Sequence, residues 1–312
     1  MTDAHRPAPN AQRLKGCGTA LATPFNTDGS LDEGALRAFV DWQIDEGIHF
    51  LVPCGSTGEA ATMTLDEHAR VVQITIEQAK GRVPIVAGAG SNDTRKAIAL
   101  SKAMRDLGAT HLLHTSPMYN KPPQRGIVAH FRAIADAVDL PIVIYNVPGR
   151  TGSNIEAKTT LEMAKIPGIA AVKEASGSLP QITDIIRGRE ERAAKGDLAH
   201  FSVLSGDDEM TLPVMALGGD GIVSVVSNAI PGPMAQLCEY MFANDIQSAR
   251  ALHLKLLPWM RAAFVESNPV PLKAALAMMG KAKNVLRLPL VPMLESNNDA
   301  VRNALRGAGA LS

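Results

Sequence analysis

Eight short apolar runs, each followed by a longer amphipathic stretch, pass along the chain from Gly16 to about Pro231, and this rhythm restricts its folds more than any other feature. The candidate strands are Gly18 to Ala22, His49 to Pro53, Ile85 to Ala89, His111 to Thr115, Ile142 to Tyr145, Ala170 to Lys173, Ser202 to Ser205 and Gly221 to Val225. Helical patterns such as Asp32 to Glu46, Leu65 to Ala79, Thr94 to Leu107 and Gln124 to Val138 lie between them, with Gly, Pro, Ser or Thr at each junction. Strands interleaved with helices pair in parallel through right-handed crossovers, and eight such units predict an α/β fold, a closed (β/α)8 TIM barrel. No GxGxxG follows the first strand, which argues against an open dinucleotide-binding sheet.

The strand signals stop near Pro231. Met234 to Ala243, Ile246 to Val265 and Pro271 to Met279 read as helices, so a C-terminal helical extension is expected, with Pro258 kinking or dividing the second of them. The expected organisation is a flexible tail over residues 1–14, a barrel over 15–230 and a helical region over 231–312.

Composition narrows the partners. Thirty-one basic residues balance thirty-one acidic ones with no Lys/Arg block, which points away from nucleic acid and anionic membranes. Cys17, Cys54 and Cys238 are odd in number and widely spaced, indicating neither a disulfide framework nor a zinc site. Residues 1–14 lack the apolar centre of a signal peptide and no run reaches membrane-span length, so a cytoplasmic location is expected.

In a barrel of this type chemistry sits at the carboxyl ends of the strands, so the polar residues there are the candidates. The sixth apolar run ends in Lys173, whose amine would lie in an apolar setting that disfavours the ammonium form and favours a nucleophile. Alternatively Lys173 is a strand-end charge paired with Glu174. The fifth run ends in Tyr145, one strand away, where a phenol could pass protons at an imine-forming lysine, or simply fill the core. Arg150, in Asn146-Val147-Pro148-Gly149-Arg150-Thr151-Gly152, has the planar donor fork suited to a carboxylate, or makes a surface ion pair.

Cys54-Gly55-Ser56-Thr57-Gly58-Glu59 sets two hydroxyls between two glycines. Such a turn can present N–H and O–H donors to a carboxylate or phosphate, or merely cap the next helix. Tyr119 sits in a proline-flanked loop, Thr115 to Pro122. Ser205-Gly206-Asp207-Asp208-Glu209 reads as a strand end and helix cap rather than a metal site. His111 and His114, three apart on a strand, face opposite sides and make no metal pair.

Gly55-Ser56-Thr57-Gly58-Glu59, Tyr145-Asn146-Val147-Pro148 and Lys173-Glu174-Ala175-Ser176-Gly177, in this order, resemble the class I pyruvate-aldolase family of dihydrodipicolinate synthase and N-acetylneuraminate lyase. The resemblance spans Gly16 to about Met279. It implies that Lys173 forms an imine with pyruvate, that Tyr145 shuttles protons, that Ser56 and Thr57 bind the pyruvate carboxylate, and that Thr57 links two phenols in a relay. Gly206 and Val223 match positions whose backbone lines the pyruvate pocket.

Arg150 separates the branches. The Asn-Val-Pro-Gly-Arg-Thr-Gly run resembles the synthase branch, in which the arginine binds the carboxyl group of aspartate semialdehyde. Tyr119 matches the tyrosine donated across a dimer interface, implying a homo-oligomer, a dimer or a dimer of dimers. No metal, nucleotide or flavin cofactor is implied. The activity implied is a lyase-class condensation in lysine and diaminopimelate biosynthesis. The alternatives are a same-family aldolase acting on a sugar-derived 2-keto acid and a catalytically silent binding barrel. Lys96, Met118 and Leu65 stand where lysine-inhibited synthases carry a glutamate, a tyrosine and a histidine, while His68 and Asn92 agree with them. Weak or absent lysine feedback is therefore expected.

Overall fold

The computed structural model describes residues 13–198 and 200–311. Eight strands, β1 (Gly16–Ala20), β2 (Phe50–Val52), β3 (Val86–Gly88), β4 (His111–Thr115), β5 (Ile142–Asn146), β6 (Ile169–Glu174), β7 (Ser202–Ser205) and β8 (Gly221–Ser224), pair in parallel in the order β2-β1-β8-β7-β6-β5-β4-β3. A parallel bridge from Leu51 to Ile85 joins the two ends, so the sheet closes into the expected (β/α)8 barrel. Each candidate strand from the sequence corresponds to one of these, shifted by at most two residues at an end.

The wall helices are α1 (Glu33–Asp45), α2 (Leu65–Ala79), α3 (Thr94–Leu107), α4 (Gln124–Ala137), the short α5 (Pro148–Thr151), α6 (Ala157–Met163), α7 (Leu179–Ala193), α8 (Thr211–Ala216) and α9 (Pro231–Phe242). Their starts are chemically marked. Thr64 and Glu67 form a reciprocal capping box at α2, and the Asp93 and Ser178 side chains accept from the first turns of α3 and α7. Helix α9 packs on β1 and completes the eighth unit, so the region expected to be extension from residue 231 begins with a helix of the barrel wall.

Alternation along the strands divides the apolar residues into two sets. Phe50, Val52, Val143, Tyr145, Ala171, Leu204 and Val223 point inward and form one core inside the barrel, while a larger core lies between strands and helices. Gly18 makes room for the inner set: a Cβ there would fall 2.0 Å from the Phe50 ring. Residues 1–12 of the expected tail lie outside the described residues. Its last two are fixed: Leu14 joins the inner core and Arg13 pairs with Asp220 at 2.6 Å.

Three helices, α10 (Ile246–Ala262), α11 (Val270–Met278) and α12 (Asn298–Ala308), form the extension. Helix α10 runs undivided through Pro258, contrary to the possibility that the proline splits it. The carbonyl deprived of its donor belongs to Leu254, a residue on the exposed face of the helix. Helix α12 packs on α10 and α11, and the α10–α11 connection turns towards the carboxyl ends of the strands.

Candidate active site

A cavity of about 470 Å³ opens at the carboxyl ends of the strands, lined by Gly55, Ser56, Thr57, Tyr145, Arg150, Lys173 and Gly206 among others. Lys173 and Tyr145 occupy the same level on neighbouring strands: β5 and β6 pair them in register, and the amine lies 4.1 Å from the centre of the phenol ring. Both are almost fully buried and face inward above the apolar core. Gly206 at the end of β7 creates the space, since a Cβ there would lie 3.0 Å from Lys173 Cε and 2.7 Å from the Ala175 methyl.

Pairing of Lys173 with Glu174 is overturned. Successive strand residues face opposite sides, and Glu174 points outward, where its carboxylate accepts from the Ser176 N–H at 2.7 Å, Asn146 Nδ2 at 2.9 Å and Gln181 Nε2 at 3.1 Å. Asn146 also accepts from the Ile155 N–H at 2.9 Å and donates to Asn154 at 2.8 Å. This buried network fixes the ends of β5 and β6, and with them the positions of Tyr145 and Lys173. The sequence reading did not anticipate it, although its members flank the two key side chains.

The Gly55–Gly58 turn closes with the Gly58 N–H on the Gly55 carbonyl at 3.1 Å, and Thr23 Oγ1 donates to the Gly58 carbonyl at 2.8 Å. Cys54 and Glu59 on either side adopt left-handed backbone, with φ of 57° and 56°, which turns the segment sharply over the strand end. Gly88 permits this path, because a Cβ there would lie 2.0 Å from the Cys54 carbonyl oxygen. Thr57 is buried against the cavity and its Oγ1 accepts from Asn268 Nδ2 at 2.9 Å. Glu59 is held by a buried ion pair with Lys273 of α11 at 2.5 Å and by the Arg287 N–H at 3.2 Å.

Arg150 rises at the mouth from α5, a single helical turn opened by Pro148. Its Nη2 donates to the Asn268 carbonyl at 3.1 Å, in place of the surface ion pair considered above. Asp207 caps the turn after β7 by accepting from the Glu209 N–H at 3.0 Å, as its sequence suggested. Burial raises the Asp207 carboxyl above the usual carboxylate range. Asp208 beside it is pushed up to about 6, burial outweighing the hydrogen bonds it accepts from Ser224 and the Val225 and Val226 N–H groups. Glu209 pairs with Arg261 at 3.1 Å across the rim.

Two expected residues stand elsewhere. Val223 lies in the inner apolar core, and Val225, two residues on, lines the cavity. Tyr119 is 89% exposed, with a left-handed φ of 72°, and lines no part of this chain's cavity. Asn268 and Arg261 are lining residues that the sequence reading omitted, and Glu209, read there only as part of a helix cap, lines the cavity as well. Only the prolines of Ser267-Asn268-Pro269-Val270-Pro271 marked that stretch as a turn. His114 donates or accepts with Ser101 Oγ at 3.1 Å inside the fold, and no cluster of three or more His, Cys, Asp or Glu able to hold a metal occurs among the described residues. No helix among them is long and apolar enough to cross a membrane.

Known proteins are similar to this chain in sequence and in overall architecture. A 4-hydroxy-tetrahydrodipicolinate synthase of Koribacter versatilis (strain Ellin345) is 52% identical over 300 residues, 96% of this chain and 97% of the relative. The crystal structure of dihydrodipicolinate synthase from Thermotoga maritima superposes with a TM-score of 0.92 at 40% identity, covering 96% of this chain and all of that one (100%). A chloride-inhibited dihydrodipicolinate synthase from Acinetobacter baumannii, solved in complex with pyruvate, gives 0.90 at 42% identity over 95% of this chain and 99% of the other. The model of the Dihydrodipicolinate synthetase family matches residues 13–308, and the chain belongs to that family.

Proposed function

We infer that the chain is a class I, Schiff-base lyase that condenses pyruvate with aspartate 4-semialdehyde to 4-hydroxy-tetrahydrodipicolinate, a step of lysine and diaminopimelate biosynthesis. The observation that carries the chemistry is the Lys173–Tyr145 pair, an amine against a phenol at the floor of a cavity whose mouth holds Arg150. The free amine of Lys173 attacks the ketone carbon of pyruvate to give a carbinolamine. Tyr145 delivers the proton with which the hydroxyl leaves as water, and the imine results. Ser56 and Thr57 offer donors to the pyruvate carboxylate.

The Tyr145 phenolate left by that step takes a methyl proton from the iminium, whose nitrogen takes up the electron pair, and the enamine results. The enamine carbon then attacks the aldehyde of the second substrate, forming the new C–C bond while the carbonyl π bond breaks and its oxygen takes the proton back from Tyr145. Arg150 orients that substrate by its carboxylate. The semialdehyde's amine displaces Lys173 by transimination, which closes the ring and frees the enzyme. Each step uses side chains of the protein and needs no metal or redox cofactor.

Tyr119, exposed and outside its own chain's cavity, suits the role of a relay phenol supplied to a neighbouring copy, and the same reading makes the active unit a homodimer or a dimer of dimers in the cytoplasm. A coupled assay tests the branch. Pyruvate with aspartate semialdehyde should turn over, whereas sugar-derived 2-keto acids should release little pyruvate. The reverse pattern would contradict the reading.

A further inference from the structure

Asn268 touches both halves of the cavity. Its Nδ2 donates to Thr57 Oγ1 at 2.9 Å, and its backbone carbonyl accepts from Arg150 Nη2 at 3.1 Å. The residue is only 6% exposed and lines the cavity, while its Oδ1 is buried without a hydrogen-bond partner among the described residues. A buried acceptor left without a partner in the fold is an uncommon arrangement for an asparagine needed only for packing.

The direction of the Asn268–Thr57 bond has a chemical consequence. A hydroxyl has one hydrogen and two lone pairs. An N–H aimed at Thr57 Oγ1 occupies a lone pair and excludes the hydroxyl hydrogen from that side, so Thr57 presents its proton elsewhere. The threonine's backbone is itself held, because the Gly58–Glu59 end of its turn is fixed by Thr23 and by the Glu59–Lys273 pair.

We propose that Asn268 is a positioning residue that sets the polarity of the Thr57 hydroxyl, making it a proton donor towards the substrate carboxylate. The chain of donation runs Asn268 N–H to Thr57 O–H to the acceptor in the cavity. No bond beyond a hydrogen bond is made or broken at Asn268. The same residue ties this donor to the second-substrate end of the cavity, but there through its main-chain carbonyl, which side-chain substitution leaves in place. The proposal rests on the imine-forming reading of the site.

The test compares wild type, Asn268→Asp, Asn268→Ala, Thr57→Val and the double variant Thr57→Val/Asn268→Ala. For each, the rate of borohydride-trappable imine formation with pyruvate is measured by rapid quench, together with steady-state constants and the melting midpoint. Asn268→Asp keeps the shape and the acceptor but lacks the N–H. It and Asn268→Ala should slow imine formation on the order of tenfold to a hundredfold, with KM for aspartate semialdehyde little changed. In the Thr57→Val background Asn268→Ala should add less than about twofold, because both act on one path. Should Asn268→Ala fail to fold, the near-isosteric Asn268→Asp reads the same step. An Asn268→Asp enzyme forming imine at the wild-type rate, or Asn268→Ala and Thr57→Val effects that multiply, would overturn the proposal. Absence of any pyruvate adduct on wild type would overturn the parent reading and this proposal together, and is distinct from either result.

Discussion

Lys173 and Tyr145 are register partners on adjacent parallel strands, and the lysine nitrogen sits 4.1 Å from the centre of the tyrosine ring. The contact follows from two local causes. Parallel pairing of β5 with β6 brings the residues level, and the outward Asn146–Glu174–Gln181 network stops either strand end from fraying. A nucleophile and its proton carrier are thereby placed on rigid elements, with the more variable groups on loops above them.

Arg150 should govern the second substrate and not the first. Arg150→Ala is expected to lower kcat/KM for aspartate semialdehyde between about tenfold and a hundredfold, the range for a lost hydrogen bond to a charged group. KM for pyruvate should change little. Arg150→Lys should recover only a small part, since an ammonium cannot reproduce the planar fork. Steady-state kinetics with each substrate varied in turn decide it.

The buried Glu59–Lys273 pair should be a structural clasp between the Ser56–Thr57 turn and the C-terminal extension. Lys273 is 1% exposed and Glu59 fully enclosed, and the lysine also lies 4.2 Å from the centre of the Phe25 ring. Removing one partner leaves the other charge uncompensated, a cost of about 3–5 kcal/mol. Lys273→Met should therefore lower the melting midpoint by roughly 5–8 °C, and Glu59→Gln/Lys273→Met should regain much of it. A single variant as stable as wild type in thermal melts would contradict the clasp.

Much of this was legible beforehand for a physical reason. Strands and helices repeat with fixed periods, and a lysine or tyrosine ending an apolar run stands out against it. Hence all eight strands, the barrel, and the convergence of Ser56, Thr57, Tyr145, Arg150, Lys173 and Gly206 could be read from the chain. Asn268 could not, because it reaches Thr57 from 211 positions away through a turn with no periodic pattern. The alternative pairing of Glu174 with Lys173 fails because adjacency in sequence is opposition on a strand. Leu14 was assigned to a tail because a single apolar residue in a polar stretch gives no sign that a barrel end will receive it.

Stability should fall with acid below about pH 6.5. Burial pushes the His114 imidazole down to about 3, and also lowers His68 and His130. Below the ordinary histidine value of 6.5 the unfolded chain takes up protons that the folded protein refuses, so stability is lost progressively as pH drops towards 3. Asp208 acts in the opposite sense. Its carboxyl is raised from 3.8 to about 6, so its contribution is greatest at low pH and is lost as pH rises through that interval. Burial lowers His253 as well and raises Asp207 alongside Asp208, and the four histidines should outweigh the two carboxyls between pH 6.5 and 5, giving a falling melting midpoint, while His114→Gln should flatten the fall. A midpoint that rises on acidification would contradict this balance.

Lysine should be a poor effector. Lys96 and Leu65 are exposed, and Asn92 is engaged with the Met118 carbonyl at 3.2 Å. His68, one of the two matching positions, is buried with its Nε2 on the Gly88 carbonyl at 2.8 Å. A cationic side chain at Lys96 opposes the amine of the ligand. Initial rates should be unaffected by sub-millimolar lysine, roughly the range expected of an effector site. Clear inhibition there would show that another constellation binds it.

The central claim is that Lys173 makes the covalent bond to pyruvate. Incubation of the enzyme with pyruvate and borohydride, followed by peptide mass spectrometry, tests it most directly. The account predicts one reduced pyruvate adduct on the peptide carrying Lys173, abolished in Lys173→Ala and formed much more slowly in Tyr145→Phe. An unmodified Lys173, or an adduct that persists in Lys173→Ala, would contradict it.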